Sequence, residues 1–293
     1  MIHRGHVAVI GLMRRLPMPC AVFLFRLYNK ILKSIKSEYL VPTYFKARIY
    51  CDPRDLIQRM ILHFGVWEPD ISRVIERNLA PGDVFVDIGA NIGYDTLLAS
   101  QRVGPTGRVV AIEAAHRTFA LLVRNLACND TANVRAVNLA VADRVATLDL
   151  YEISQGNIGA ATTLAGRGGA LLDSVEALPL EQILTADEVS RLRLIKIDVE
   201  GAEPQILRHL LERLAHYPAT MDIVVEASPH DDPEAWRDLF DRLEAAGFAT
   251  YEIANFYPLE WYMAWRSVTP LRRINSVPTR QTDLLCTRRM SAV

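Results

Sequence analysis

From residue 84 onward, short apolar runs alternate with longer amphipathic stretches, the pattern of a mostly parallel sheet covered by helices on both faces. Val84–Ile88 is β-branched, bounded by Pro81-Gly82 and reads as a buried strand; a helix follows from about Ile92 to Val103 and is broken by Gly104-Pro105-Thr106-Gly107. Val109–Ile112 predicts a second strand, Thr118–Ala127 a helix with Leu121, Leu122 and Leu126 on its apolar face, and Val134–Val137 a third strand. Leu192–Ile197 and Ile223–Val225 supply strands four and five, separated by a helix from Glu203 whose Pro204 suits a first turn. Trp236–Ala246 predicts a helix stopped by Gly247, and Thr250–Ile253 with Leu284–Cys286 a closing pair of strands at the far edge. The expected fold class is α/β, Rossmann-like and doubly wound.

Two stretches break this rhythm. Residues 154–170 carry Gly156, Gly159, Gly166, Gly168 and Gly169 among Ser, Thr and Asn, which fits either a mobile lid or a plain surface loop. Residues 255–280 gather Phe256, Tyr257, Trp261, Tyr262 and Trp265, aromatic faces that can stack on an acceptor or pack a long loop onto the core. The first 60 residues read as a separate basic and apolar helical segment, ahead of one catalytic domain over 61–293. Arg4, Arg14, Arg15, Arg26, Lys30, Lys33 and Lys36 precede the first acid, Glu38. The apolar runs between these cations are too short for the roughly 20 residues of a membrane span. Two readings stay open: a basic amphipathic segment in peripheral contact with an anionic membrane, or a helix packed on the domain.

Composition narrows the partners. Half of the 293 residues are apolar, enough for a substantial core. The 33 basic and 34 acidic side chains nearly cancel, which argues against nucleic acid and for a small-molecule acceptor. Cys20, Cys51, Cys128 and Cys286 form no C-x-x-C pair and read as reduced thiols of a cytoplasmic protein.

The chemistry concentrates in two runs. In VFVDIGANIGYDTLLAS a strand ends at Asp87, and Gly89, Ala90, Asn91 and Gly93 carry the chain into a helix. Glycine permits a close backbone approach and positive φ, Asn tolerates the left-handed region, and the helix N-terminus favours a carboxylate. Glu113, twenty residues past Gly93 and just after the second strand, can accept hydrogen bonds from ribose hydroxyls. In LRLIKIDVEGAEPQIL the fourth strand delivers Lys196 and Asp198 to its C-terminal end, followed by Glu200, Gly201 and Glu203; the fifth ends at Glu226. Glu200 and Glu203 serve either the site or the helix they precede.

These runs, DIGANIGY and IKIDVEGAE, with WEP at Trp67–Pro69, resemble the FkbM-type methyltransferase family over roughly residues 60 to 250. The resemblance implies a class I S-adenosylmethionine-dependent fold, with a seven-stranded sheet whose last strand is antiparallel, and O-methylation of sugar, glycolipid or polyketide-like hydroxyls. By motif position it places Asp87, Gly89, Ala90, Asn91 and Gly93 around the methionine part, Glu113 at the ribose, Asn138 and Ala140 near adenine, and Asp198 beside the sulfonium. The chain departs from the family pattern at Ala114-Ala115, at Asp95, where an aromatic is common, and at Glu181, where an aspartate is common.

A hydroxyl acceptor must lose its proton. Asp198 and Glu226 are the candidate general bases, with His230 the other candidate; a divalent cation such as magnesium, held by the carboxylates of strands four and five, is the rival device. A nicotinamide-dependent oxidoreductase would explain the first run and Glu113 but not IKIDVEGAE. A scaffold that binds cofactor without turnover is the remaining alternative.

Overall fold

The computed structural model describes residues 9–13, 15–153, 161–164, 166, 169–254, 259–263 and 269–289. Among them, fourteen strands follow one another along the chain, β1 (Tyr39–Pro42), β2 (Arg48–Cys51), β3 (Val84–Ile88), β4 (Arg108–Ile112), β5 (Val134–Val137), β6 (Ala140–Val141), β7 (Ala146–Glu152), β8 (Ala161–Thr162), β9 (Leu171–Leu178), β10 (Leu192–Ile197), β11 (Asp222–Ala227), β12 (Ala249–Ile253), β13 (Arg272–Ile274) and β14 (Thr282–Thr287), and eight of them form the central sheet in the order β13-β12-β14-β11-β10-β3-β4-β5. From β5 to β11 all neighbours are parallel, and β14 runs antiparallel to both β11 and β12. The expected antiparallel strand is present, but two expectations are corrected. The sheet has eight strands rather than seven, because Arg272–Ile274 adds an outer strand beside Ala249–Ile253. The strand at 284–286 lies inside the sheet rather than at its edge, and all of Thr282–Thr287 is buried.

Alternation along the strands sends side chains to two separate layers. Val84, Val86, Ile88, Ile195, Ile197, Ile223 and Val225 pack against Ile206, Leu207 and Leu210 of Glu203–Glu212 and against Trp236, Leu239 and Leu243 of Pro233–Ala245. Phe85, Val109, Leu194, Val224 and Leu285 meet Ile71, Val74 and Ile75 of Pro69–Asn78 and Leu98 and Val103 of Tyr94–Val103 on the opposite face. Helices therefore cover both faces, as a doubly wound sheet requires.

Paired strands flank the glycine-rich stretch before β10. Ala146–Glu152 and Leu171–Leu178 pair antiparallel and, with Ala140–Val141 and Ala161–Thr162, make a four-stranded sheet. Gly156, Gly159 and Gly168 of the glycine-rich lid reading lie outside the described residues.

Within the first 60 residues, the helix Met18–Lys33 is followed by a hairpin, Tyr39–Pro42 with Arg48–Cys51, where no strand was expected. A further helix, Leu56–Phe64, is N-capped by Asp55, which accepts from the Gln58 amide at 2.9 Å. Ile10, Met13, Phe25, Val41, Ile49, Ile61 and Phe64 share one buried cluster with Ala90, Ile92, Leu97 and Leu122 of the sheet domain. Tyr262 is fully buried in the same cluster, 5.6 Å from Phe64 between ring centres, so packing rather than acceptor stacking explains it. Phe256, Tyr257 and Trp265 lie outside the described residues.

Trp236 is the largest of the fully buried side chains and ties Pro233–Ala245 to the sheet. Trp236→Ala is expected to lower unfolding free energy by about 3–5 kcal/mol, read as a shifted urea midpoint at unchanged slope.

Candidate active site

The C-terminal ends of β3 and β10 touch. Gly89 has φ +82°, and a Cβ built on it would stand 1.8 Å from the carbonyl oxygen of Asp198, so no other residue fits without moving one of the two strands. The Gly89 and Ala90 amides both donate to the Ile112 carbonyl, at 2.9 and 3.0 Å, and the Asp198 amide donates to Ile88 at 3.0 Å. Asn91 adopts the left-handed φ of +48° expected of it. Gly93, at φ +91°, opens the helix Tyr94–Val103, and a Cβ there would lie 2.6 Å from Leu122.

Glu113 closes the second side. Its two carboxylate oxygens accept the amides of Asn91 at 2.9 Å and Ala115 at 3.0 Å. Burial outweighs those bonds and pushes its pKa up to about 7. Each oxygen keeps a further lone pair for a ligand hydroxyl.

A cluster of charge lies behind and beyond the turn. Lys196 Nζ donates to Asp198 Oδ2 at 2.8 Å and stands 3.5 Å from Asp95 Oδ2. Asp87, in register with Lys196 across the sheet, accepts from Thr96 Oγ1 at 2.6 Å while its Oδ1 has no hydrogen-bond partner. Burial raises the pKa of Asp95 to about 7 and pushes that of Glu68 well above the usual carboxylate range. Burial and the nearby Asp198 carboxylate push Glu226 up to about 10, so at neutral pH it keeps its proton. Glu203 accepts the amides of Val199 at 2.9 Å and Gly201 at 2.8 Å, which settles its use as the fastener of its own turn and helix.

These parts enclose a cavity of about 330 Å³. Gly89, Ala90, Asn91, Glu113, Ala140, Asp198 and Glu226, all singled out from the sequence, line it. Three others do not. Asp87 is fully buried behind the turn; Asn138 donates from its side-chain amide to the carbonyls of Glu113 and Ala114, both at 2.8 Å; Gly93 begins the helix. These three shape the wall without forming it. His230 is corrected: it is exposed after β11 and takes no part in the cavity, since the strand delivers Glu226 and the chain then turns outward. Glu181 pairs with His209 at 3.0 Å, away from the cavity lining.

The lining also includes residues not assigned to the site from sequence: Glu68, Trp67, Asp95, Leu56, Ile57 and Gln281. Glu68 holds a left-handed φ of +42°, and its amide donates to the Tyr262 hydroxyl at 3.4 Å. The WEP run and the departure at Asp95 were the visible signals. Contact with β10 gives them their meaning.

Comparison with known proteins decides the family. The sequence pattern of the Methyltransferase FkbM domain matches residues 87–249, more than half of the chain. The chain belongs to the FkbM methyltransferase family. It is an S-adenosylmethionine-dependent methyltransferase. A second pattern, that of protein-L-isoaspartate(D-aspartate) O-methyltransferase, matches residues 27–145. Among curated relatives, Methyltransferase sdnD of Sordaria araneosa is 29% identical over 178 residues, 51% of this chain and 68% of that protein. Methyltransferase 1 of Beauveria bassiana is 26% identical over 223 residues, 69% of this chain and 85% of that protein. A solved FkbM methyltransferase from Methylobacillus flagellatus is 13% identical with a TM-score of 0.44, covering 78% of this chain and 53% of that one.

The FkbM chain's own residues fit the cofactor its family uses. Six acidic residues, Glu68, Asp95, Glu113, Asp198, Glu200 and Glu226, line the cavity against one lysine, Lys196. Even with Glu226 protonated, a lining of acids with Lys196 as its one lysine accepts a sulfonium and an ammonium group and opposes the pyrophosphate of a dinucleotide. The glycine turn leaves open the space a Cβ would fill, and Leu139, Ala140 and Ile112 offer an apolar wall beside Glu113.

Two outcomes follow. Gly89→Ala should abolish detectable S-adenosylmethionine binding by calorimetry, and near-native affinity would remove the turn from the site. Glu113→Ala should weaken binding by about 1–3 kcal/mol. Below pH 7 Glu113 carries a proton in the free protein, so wild-type affinity should rise as pH goes from 6 to 8, and this rise should shrink in the variant.

Proposed function

We propose that this methyltransferase acts on oxygen, transferring a methyl group to a hydroxyl of a sugar, glycolipid or polyketide-like small molecule. The observation that carries this reading is the meeting of two carboxyl groups, Asp198 held by Lys196 and Glu226 buried among other acids, on neighbouring strand ends in one cavity with Glu113. An alkyl hydroxyl needs a proton acceptor during transfer and a donor to orient it.

S-adenosylmethionine, when bound, supplies the electrophilic methyl. The chain supplies alignment and proton handling. Lys196 holds Asp198 through Oδ2, leaving Oδ1 to accept the hydroxyl proton. Glu226, protonated at neutral pH, donates a hydrogen bond to the acceptor rather than serving as the base. Trp67, Leu56 and Ile57 cover the cavity with apolar surface and exclude water. The acidic lining disfavours phosphate-rich nucleic acid and favours a neutral acceptor.

A cation-assisted route draws on the carboxylates of Asp198, Glu203 and Glu226, whose oxygens lie within 4.8 Å of one another. Glu203 is committed to two backbone amides and Asp198 to Lys196, so the proton-acceptor reading uses the groups as they are paired. The binding of a polyanionic nicotinamide cofactor has no matching positive lining, and the intact turn and Glu113 support turnover over a silent scaffold.

The test is transfer from labelled S-adenosylmethionine to a panel of glycan, glycolipid and polyketide hydroxyls, with the product's methyl located by mass spectrometry. Methyl found on nitrogen or carbon would refute the oxygen assignment. Asp198→Asn should lower kcat by about a hundredfold or more, in the range of a lost general base, with little change in cofactor affinity. Glu226→Gln, which keeps a donor, should retain turnover within a few-fold, whereas Glu226→Ala should lose about tenfold. Chelation with EDTA should leave the rate unchanged; a loss restored by magnesium transfers the role to a cation.

A further inference from the structure

The helix Met18–Lys33 has three faces. Ala21, Phe25 and Leu32 are buried on the domain. Phe25 sits 4.6 Å from His63 and 5.7 Å from Phe64 between ring centres, and Asn29 Oδ1 lies 2.6 Å from His63 Nε2. On the far side Phe23, Leu24, Leu27 and Ile31 fall within roughly 100° of arc and face outward, with Phe23 68%, Leu27 51% and Ile31 56% exposed. Arg26, Lys30 and Lys33 form the third stripe beside them, all exposed, and Arg15 and Lys36 extend it at either end. No acid occurs before Glu38.

The geometry points to this outer face docking on an anionic lipid bilayer, with the helix lying in the plane of the interface. An apolar stripe flanked along its length by cations and by no carboxylate matches the two attractions such a surface offers: acyl chains for Phe23, Leu27 and Ile31, and lipid phosphates for the cations. A second copy of the chain fits poorly. Antiparallel two-fold pairing through this stripe would set the two cationic flanks against each other. No helix among the described residues is long and apolar enough to cross a membrane, so the contact is interfacial. The helix Leu56–Phe64 links this face to the site, with His63 and Phe64 under Met18–Lys33 and Leu56 and Ile57 in the cavity wall. Acceptors carried in the membrane would thus be presented near the cavity.

Co-sedimentation of the full chain with vesicles tests the docking without reference to catalysis. At low salt it should pellet with phosphatidylcholine vesicles containing phosphatidylglycerol and stay at least about tenfold less bound to phosphatidylcholine alone, with the difference shrinking at high salt. Phe23→Ser/Leu27→Ser/Ile31→Ser and Arg26→Glu/Lys30→Glu/Lys33→Glu should each remove the bound fraction while S-adenosylmethionine binding, measured by calorimetry, stays at the wild-type value. The inference is overturned if the wild-type chain stays in solution with the anionic vesicles, or if both variants, still binding cofactor, pellet as it does. It is also overturned if sedimentation velocity shows a dimer that the serine variant dissociates while vesicles capture nothing. Failure here leaves the methyl-transfer reading standing, because that rests on the cavity.

Discussion

The contact between Gly89 and the Asp198 carbonyl sets the geometry of everything around it. Two parallel strands can end side by side with their following loops in touch only if one lacks a side chain at the crossing point, and a Cβ at 1.8 Å from a carbonyl oxygen is impossible without displacement. From that contact the rest follows. Asn91 turns left-handed, which directs its amide to Glu113, and Glu113 in turn holds Ala115. The floor of the cavity is therefore a chain of backbone commitments closed by the Glu113 carboxylate.

The charge cluster depends on this floor in a second way. Asp87, Asp95 and Asp198 converge on one buried ammonium, and a lone lysine cannot neutralise three carboxylates and the nearby Glu68 at once. Burial resolves the excess by leaving protons on some of them, as it does for Glu226 at the next strand end. Glu226 differs from its neighbour in position: Asp198 Oδ2 accepts from Lys196 at 2.8 Å, whereas the largest influences on Glu226 are burial and other carboxylates.

Most of the fold was legible because its strands have few alternatives. Val134–Val137 and Leu192–Ile197 begin and end where the apolar runs do, and Gly247 and Pro204 mark helix ends as their backbone preferences require. Leu284–Cys286 reads as a strand in isolation, but its neighbours are set by pairing across long loops, so its interior position was not visible. On either side of the glycine-rich stretch, ATLDLYE and the SVEA of LLDSVEAL alternate apolar and polar residues, and this two-residue period was the missed signal of the pairing. In the site, the residues of the two runs were found because turn and strand end lie together in sequence. Glu68 was missed because its surroundings, the Tyr262 hydroxyl and the charges of Asp283, Asp198 and Lys196, are brought to it only on folding. His230 failed for the opposite reason: nearness in sequence to Glu226 did not carry it past the outward turn.

The division between what was found and what was missed is also a division of labour in the cavity. Gly89, Asn91, Glu113, Asp198 and Glu226 all lie within residues 87–249, the span of the family match. Leu56, Ile57, Trp67, Glu68 and Gln281 lie outside it and come from the helix after the N-terminal hairpin, the turn that follows that helix, and the segment before the last strand. A shared sheet edge can fix where a methyl donor sits while the covering segments vary, since loops tolerate change that strand ends do not. The reaction is thus written into the part of the chain that resembles its relatives. Trp67 with Glu68, braced by the buried Tyr262, lines the cavity from outside that span and meets the sheet edge only on folding.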